Sequence, residues 1–257
     1  QQRVGILHRK ESWKMIRIGR GGLWNNSYKD EIVICKKNHF DFIQIWFKDG
    51  ELLVNDLPSP KEEYIKKAGF PVILHALFEP DDFERYGNQL LDLVSFFGDK
   101  EVIVHPVCKK KAVDQRTEYE LAEHVLDFSQ KAKARGILWY LENNSVLDIF
   151  HYKKEDLEIV YKADSYVEQL LDIAHIDNYQ HLEDIISVKF PRCLHAAGKH
   201  FAVPHEHLPL TCGDIDYKLV FQKYLHGYSG RIILEVDGSG EEMEASKRIL
   251  DEAVLYA

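Results

Sequence analysis

Eight apolar or β-branched segments alternate with longer amphipathic segments along the chain. We predict them to be strands, at residues 15–21, 42–47, 72–76, 102–107, 137–142, 167–173, 193–196 and 231–236. This alternation is typical of repeated βα units, which build a parallel sheet. Eight such strands can close into a barrel, and a single α/β barrel often has the length of this chain, 257 residues. The sequence therefore predicts one α/β domain, a (β/α)8 TIM barrel spanning residues 1–257.

Helix start and stop signals fit between these strands. Three pairs have the spacing of an N-terminal capping box: Ser59 with Glu62, Thr117 with Glu120, and Ser239 with Glu242. Glycine stands where three of the predicted helices would end, at Gly69, Gly98 and Gly136. No linker-like composition divides the chain. Residues 4–9 compete with 15–21 for the first strand, and residues 1–12 could instead form an N-terminal extension.

Charge and cysteine content narrow the functional classes. The formal net charge is −9 and the sequence pI is about 5.8, which disfavours a general binder of the nucleic-acid backbone. The four cysteines are scattered without a CxxC pair, so we expect reduced thiols rather than a disulfide or zinc scaffold. No apolar run approaches the ~20 residues of a membrane span. We therefore expect a soluble, cytoplasmic protein that does not bind membranes.

Six consecutive predicted strands end in a histidine or a carboxylate. These residues are His75, His105, Glu142, Asp172 with His175 soon after it, His195 and Glu235. In a (β/α)8 barrel the carboxyl ends of the strands share one rim, where active sites lie. Burying three carboxylates at one rim without cations would cost several kcal/mol each. Carboxylate and imidazole ligands without thiolate suit zinc, manganese, cobalt, iron or magnesium, so the sequence predicts a divalent metal site.

A histidine-rich stretch follows the seventh predicted strand. It reads HAAGKHFAVPHEHLPL over residues 195–210 and has four histidines and one glutamate. Local histidine density alone is a weak signal. His195 ends the strand and belongs with the rim residues, whereas His205 and His207 are expected to reach the same rim from a loop.

These motifs resemble those of the xylose isomerase-like barrels, a group that includes sugar and sugar phosphate isomerases and epimerases and also endonuclease IV. The resemblance is carried by LHA, VHP, LENN, LDIAH, HEHLPLTCGDID and ILEV. In the isomerases and epimerases it implies one metal ion, held by Glu142, Asp172, His195 and Glu235. It also implies that Glu142 and Glu235 act as the catalytic acid and base on opposite faces of the substrate.

The endonuclease IV branch implies a larger ligand set at the same rim. Its additional positions correspond to His75, His105, His175, His205 and His207. In that branch the first residue of the last pair is Asp, so His205 is a departure that lowers the negative charge of the site. The resemblance therefore allows one to three metal ions per chain.

The favoured function is a divalent-metal-dependent isomerase or epimerase acting on a sugar or sugar phosphate, by removing a proton next to a carbonyl. One alternative is a multinuclear-zinc phosphoesterase like endonuclease IV (AP endonuclease family 2). The other is a metal-dependent dehydratase acting on a hydroxy-keto acid. The short strand-end loops offer no basic cluster beyond Lys109–Lys111, which disfavours a nucleic-acid substrate. Candidate substrate-binding residues are His175, Lys199, Arg20 and Trp46. A homo-oligomer is left open.

Overall fold

The computed structural model describes residues 16–22, 27–237 and 240–257. The strands are β1 (Arg17–Gly21), β2 (Phe42–Lys48), β3 (Glu51–Leu52), β4 (Val72–Phe78), β5 (Glu101–Pro106), β6 (Leu138–Glu142), β7 (Glu168–Asp172), β8 (Cys193–Ala196) and β9 (Arg231–Leu234). The helices are α1 (Tyr28–Lys37), α2 (Lys61–Ala68), α3 (Pro80–Phe97), α4 (Gln115–Ala134), α5 (Lys154–Ala163), α6 (Tyr179–Val188), α7 (Tyr217–Leu219) and α8 (Gly240–Ala253).

Eight of these strands form a closed parallel barrel. Their order is β1, β9, β8, β7, β6, β5, β4, β2, and β1 also pairs with β2, which closes the ring. The two-residue β3 pairs antiparallel with β2. The (β/α)8 prediction is therefore confirmed. The N-terminal extension predicted for residues 1–12 lies outside the described residues, as does Met15 of the first predicted strand.

The ends of the helices agree only partly with the sequence signals. Gly69 and Gly98 adopt left-handed φ angles of 68° and 78° directly after α2 and α3, as predicted. The box predicted at Ser59 is wrong, because α2 begins after Pro60 without a side-chain cap. Thr117 does not cap α4 either. Its hydroxyl instead accepts from the backbone of Asp114, which is the actual cap. Ser239 lies outside the described residues.

An apolar layer fills the barrel and supports the rim. It consists of Phe42, Ile73, Ile103, Tyr140, Leu170, Cys193 and Ile233, which pack together apart from the larger core under the helices. Because side chains alternate along a strand with period two, the residue two positions later points to the same side. Those residues are Gln44, His75, His105, Glu142, Asp172, His195 and Glu235. A polar ring therefore lies directly above the apolar layer.

Strand β1 has glycine at the positions that face the barrel interior, whereas the other seven barrel strands have larger side chains there. A Cβ placed on Gly19 would lie 2.2 Å from the ring of Phe42, and one on Gly21 would lie 2.5 Å from Cγ of Glu235. Glycine at these two positions lets Phe42 fill the barrel and lets Glu235 turn into the ring. Among the described helices, none is both long and apolar enough to cross a membrane.

Candidate metal centre

Glu142 lies at the centre of the polar ring and faces two groups of histidines. Its Oε2 atom lies 2.8 Å from Nε2 of His75 and 3.2 Å from Nδ1 of His105. Its Oε1 atom lies 3.2 Å from Nδ1 of His195 and 3.7 Å from Nδ1 of His175. The two oxygens of this one carboxylate therefore belong to two different clusters of potential ligands.

Asp172 and Glu235 complete the cluster around Oε1 of Glu142. Nδ1 of His195 lies 3.6 Å from Oδ2 of Asp172 and 3.5 Å from Oε2 of Glu235. His207 reaches the same two carboxylates, with Nε2 at 3.8 Å from Asp172 and Nδ1 at 3.6 Å from Glu235. We call Glu142, Asp172, His195 and Glu235 the inner subsite, and His75, His105 and Glu142 the outer subsite.

A third cluster contains only histidines. One ring nitrogen each from His175, His205 and His207 lies within 4.8 Å of the others. His175 is buried, His207 is partly buried and His205 is exposed. The nearest carboxylate is that of Asp172, whose Oδ2 atom lies 3.4 Å from Nε2 of His175 and 3.8 Å from Nε2 of His207.

The loop after β8 reaches the rim because two glycines allow close backbone contacts. Gly198 and Leu208 exchange backbone hydrogen bonds of 2.7 and 2.9 Å. A Cβ on Gly198 would lie 2.4 Å from the carbonyl oxygen of Pro209. Gly213, with φ of 90°, packs equally closely against the backbone of Lys199. This folding carries His207 to Glu235, whose carbonyl oxygen lies 3.2 Å from Nδ1 of His207.

Several polar atoms of the ring are buried without a hydrogen-bond partner among the described residues. They are both ring nitrogens of His75, Oε2 of Glu142, Oδ2 of Asp172 and Nε2 of His207. Buried polar groups are normally paired, because an unpaired one costs free energy. Each of these residues offers a potential metal ligand, and for His75 it is whichever ring nitrogen carries no hydrogen. The residues therefore fit a divalent metal ion, and the high share of imidazole favours a transition metal over magnesium.

Protons and metal ions compete for these histidines. Burial opposes protonation of His105, but the charge of Glu142 outweighs it and raises the pKa of the imidazole to about 8. Burial is likewise outweighed at His195, where Glu235 and Glu142 raise the pKa well above its usual value. At His175 burial dominates and lowers the pKa to about 4. Burial disfavours the charge of Glu142, but nearby His105 and His195 hold its pKa well below the usual range.

Gln44 belongs to the polar ring, although it is not among the site residues predicted from the sequence. It is buried on β2, and its Oε1 atom lies 2.9 Å from Nε2 of His195. Its amide nitrogen donates to Oε1 of Glu235. The other members of the ring are ionisable residues near strand ends, whereas glutamine is not ionisable. The signal that would have found Gln44 is its position two residues after the inward-facing Phe42.

The fold has many structural counterparts. A D-tagatose 3-epimerase-like protein is 19% identical and superposes with a TM-score of 0.72, over 93% of this chain and 97% of that one. The IOLI protein, in a structure with a bound zinc atom, is 16% identical with a TM-score of 0.72, over 93% and 98% of the two chains. A xylose isomerase domain protein from Alicyclobacillus acidocaldarius is 16% identical with a TM-score of 0.70, over 93% and 98%.

This chain shares the (β/α)8 barrel fold of these proteins. No protein-family model matches its sequence, and a search of curated proteins found no match. At identities below 20% the counterparts show the fold, and the chemistry has to be argued from this chain's own residues.

The nine predicted ligands all lie at the rim of the barrel, but the predicted substrate contacts differ in accessibility. The ring of Trp46 lies 4.1 Å from that of His75, beside the outer subsite. Lys199 is buried, and its ammonium donates to the carbonyl oxygen of Ile176 at 2.7 Å. Arg20 is also buried and pairs with Glu31 at 3.2 Å. Its guanidinium therefore holds β1 to α1, and a role for Arg20 in substrate binding stays a prediction.

Proposed function

We propose that the protein is a metal-dependent phosphoester hydrolase that binds more than one divalent ion and acts on a small molecule. The proposal is based on the two carboxylate oxygens of Glu142, which face different histidines. Oε2 faces His75 and His105, whereas Oε1 faces His195. Glu142 would thus offer one oxygen to each of two groups of residues that could hold an ion.

The same arrangement makes Glu142 a poor general base. A base that removes a proton from carbon needs a free oxygen and a pKa near the working pH. Both oxygens of Glu142 face imidazole nitrogens, and the neighbouring histidines hold its pKa well below the usual range despite burial. Hydrolysis also removes a proton, from the attacking water, but bound divalent ions would lower the pKa of that water, so Glu142 would not have to act as the base.

The chain's own residues would bind and orient the reacting groups. When bound, divalent ions would supply positive charge to phosphoryl oxygens and acidify a water. The carboxylates of Glu142, Asp172 and Glu235 would hold that charge at the rim, where burial strengthens electrostatic interactions. His205 is exposed at the edge of the histidine cluster and is placed to meet an incoming phosphate. The net charge of −9 supports a small phosphoester rather than a nucleic acid.

A second candidate is the isomerase or epimerase function. It is favoured by the inner subsite, which is complete. The resemblance to sugar isomerases and epimerases implies that its four residues, Glu142, Asp172, His195 and Glu235, hold one metal ion together. Similar solved structures carry epimerase names. For this reaction Glu142 and Glu235 would exchange a proton with carbon, and Oε2 of Glu142 would have to be free of the outer subsite. The dehydratase reaction would also require Oε2 of Glu142 to be free of the outer subsite.

Metal counting with paired assays separates the candidates. The protein would be purified without chelator, its metal content measured, and its activity compared on aryl phosphomonoesters and phosphodiesters and on a panel of ketoses. We expect at least two ions per chain and phosphoester hydrolysis, which His105→Gln should reduce by at least tenfold. His226→Gln, at an exposed histidine, is the matched control. One ion per chain together with ketose epimerisation that survives His105→Gln would overturn the hydrolase in favour of the isomerase.

A further inference from the structure

Two buried amides contact ligands of different subsites. Gln44 contacts His195 and Glu235 of the inner subsite, and Asn144 contacts His105 of the outer subsite. We propose that Gln44 and Asn144 are positioning residues that fix which imidazole nitrogen faces each subsite, and so set the affinity for the two ions separately. The inference rests on the metal centre of the proposed function but assigns new residues to it.

The orientation of Gln44 follows from its neighbour Glu235. An ionised carboxylate only accepts hydrogen bonds, so the NH₂ group of Gln44 must face Glu235. The carbonyl oxygen of Gln44 then faces Nε2 of His195, at 2.9 Å. Since an amide oxygen is also only an acceptor, Nε2 of His195 carries the hydrogen. Nδ1 of His195 is then the bare nitrogen, and it lies 3.2 Å from Oε1 of Glu142.

The orientation of Asn144 is fixed by two backbone carbonyls. Its amide nitrogen donates to the carbonyl oxygens of Pro106 and Phe150, each at 2.7 Å. Its Oδ1 atom therefore faces Nε2 of His105 at 2.5 Å, and this nitrogen must donate. Nδ1 of His105 is left bare, 3.2 Å from Oε2 of Glu142.

When the rings are neutral, both bare nitrogens therefore point at Glu142, but at opposite oxygens. A bare imidazole nitrogen and a carboxylate oxygen repel each other unless a proton or a metal ion lies between them. Each amide thus prepares one of the two subsites for a cation, without contacting the other. Gln44 and Asn144 are 1% and 2% exposed, so solvent does not offer a replacement partner. Amino acids that orient metal-binding histidines in this way typically change metal affinity by about 10- to 100-fold when replaced.

The test compares Gln44→Met and Asn144→Leu with a buried glutamine that touches no ligand. Gln169→Met is that control, because Gln169 is fully buried on β7 and its side-chain atoms have no hydrogen-bond partner among the described residues. Zinc affinity would be measured for each protein by competition with a coloured chelator, and crystals would show which site loses zinc by anomalous scattering. We expect about 10-fold or greater weakening at the inner subsite for Gln44→Met and at the outer subsite for Asn144→Leu, with Gln169→Met unchanged.

Nuclear magnetic resonance of the zinc-loaded protein gives a readout that a merely structural role would not move. The Nε2–H protons of His195 and His105 should each be visible and protected from exchange. Gln44→Met should remove the first signal alone and Asn144→Leu the second alone. Gln44→Glu and Asn144→Asp keep an acceptor for the same hydrogen. Their second oxygen, protonated in this buried setting, would donate where the amide nitrogen did, so both should restore the signals, which also covers a variant that fails to fold.

The outcomes separate this inference from the proposed function. Wild-type protein that binds no zinc would overturn both. Wild-type protein that binds two or more ions, with Gln44→Met and Asn144→Leu weakening both subsites equally or neither, would overturn the positioning roles and leave the metal centre intact.

Discussion

Nε2 of His75 lies 2.8 Å from Oε2 of Glu142, yet both atoms are buried without a hydrogen bond. The distance between the two atoms suits a hydrogen bond, but the orientation of the two groups does not. Nδ1 of His105 approaches the same oxygen at 3.2 Å. One potential ligand atom each from His75, His105 and Glu142 lies within 4.8 Å of the others. The geometry of Glu142 is therefore better explained by a shared cation than by a set of ion pairs.

Replacing the central carboxylate should affect both subsites at once. In Glu142→Gln we expect zinc to fall by at least one ion per chain, because an amide cannot bridge two cations. Wild-type protein should gain about 2.7 kcal/mol of stability at a zinc concentration 100 times the dissociation constant, and the variant should gain much less. Thermal unfolding with and without zinc measures this gain. Glu84→Gln, at an exposed position on α3, should behave as wild type. Equal stabilisation of both variants would contradict a bridging role.

Zinc affinity should rise with pH between about 6 and 8. The charge of Glu142 outweighs burial and raises the pKa of His105 to about 8, so a proton must leave before this imidazole can bind an ion. In the metal-free protein, the contribution of His105 to folding stability should instead fall as pH rises. The charged His105 stabilises the fold below its unfolded pKa of about 6.5, and this contribution is lost as pH rises through about 8. Chelator competition at several pH values checks the first effect, and a flat profile would count against it.

The sequence could predict which residues at the strand ends face the rim, because their placement follows two simple rules. Alternation along a strand places Ile103 and His105 on one side, and barrel closure brings all carboxyl ends to one rim. The division of Glu142 between two subsites was not predictable, because it depends on the side-chain torsions of three neighbours. His207 was expected at the rim, but the pairing of Gly198 with Leu208 that carries it there was not predictable, because it joins two residues across a loop without a periodic pattern.

Glu118 should make the protein less stable as pH rises. It is 1% exposed, and burial raises its pKa to about 8, although the backbone of His151 donates to it at 2.9 Å. Because the folded state keeps a proton that the unfolded chain loses above about pH 4.5, stability falls by about 1.4 kcal/mol per pH unit up to about pH 8. Glu118→Gln removes this dependence and should be the more stable protein at pH 8. Urea unfolding at pH 5 and pH 8 would measure the difference, which should vanish at the lower pH.

Gly19→Ala should destabilise the barrel by crowding the apolar layer beneath the ring. Its Cβ would lie 2.2 Å from the ring of Phe42, which is fully buried and has no room to move. Overpacking of this kind typically costs about 1–3 kcal/mol. The double substitution Gly19→Ala with Phe42→Leu should recover part of the loss, because the smaller side chain removes the clash. Gly240→Ala, where a Cβ meets nothing within 4 Å, is the control. If the double variant were no more stable than Gly19→Ala alone, the contact with Phe42 would not be the reason that β1 carries glycine at this position.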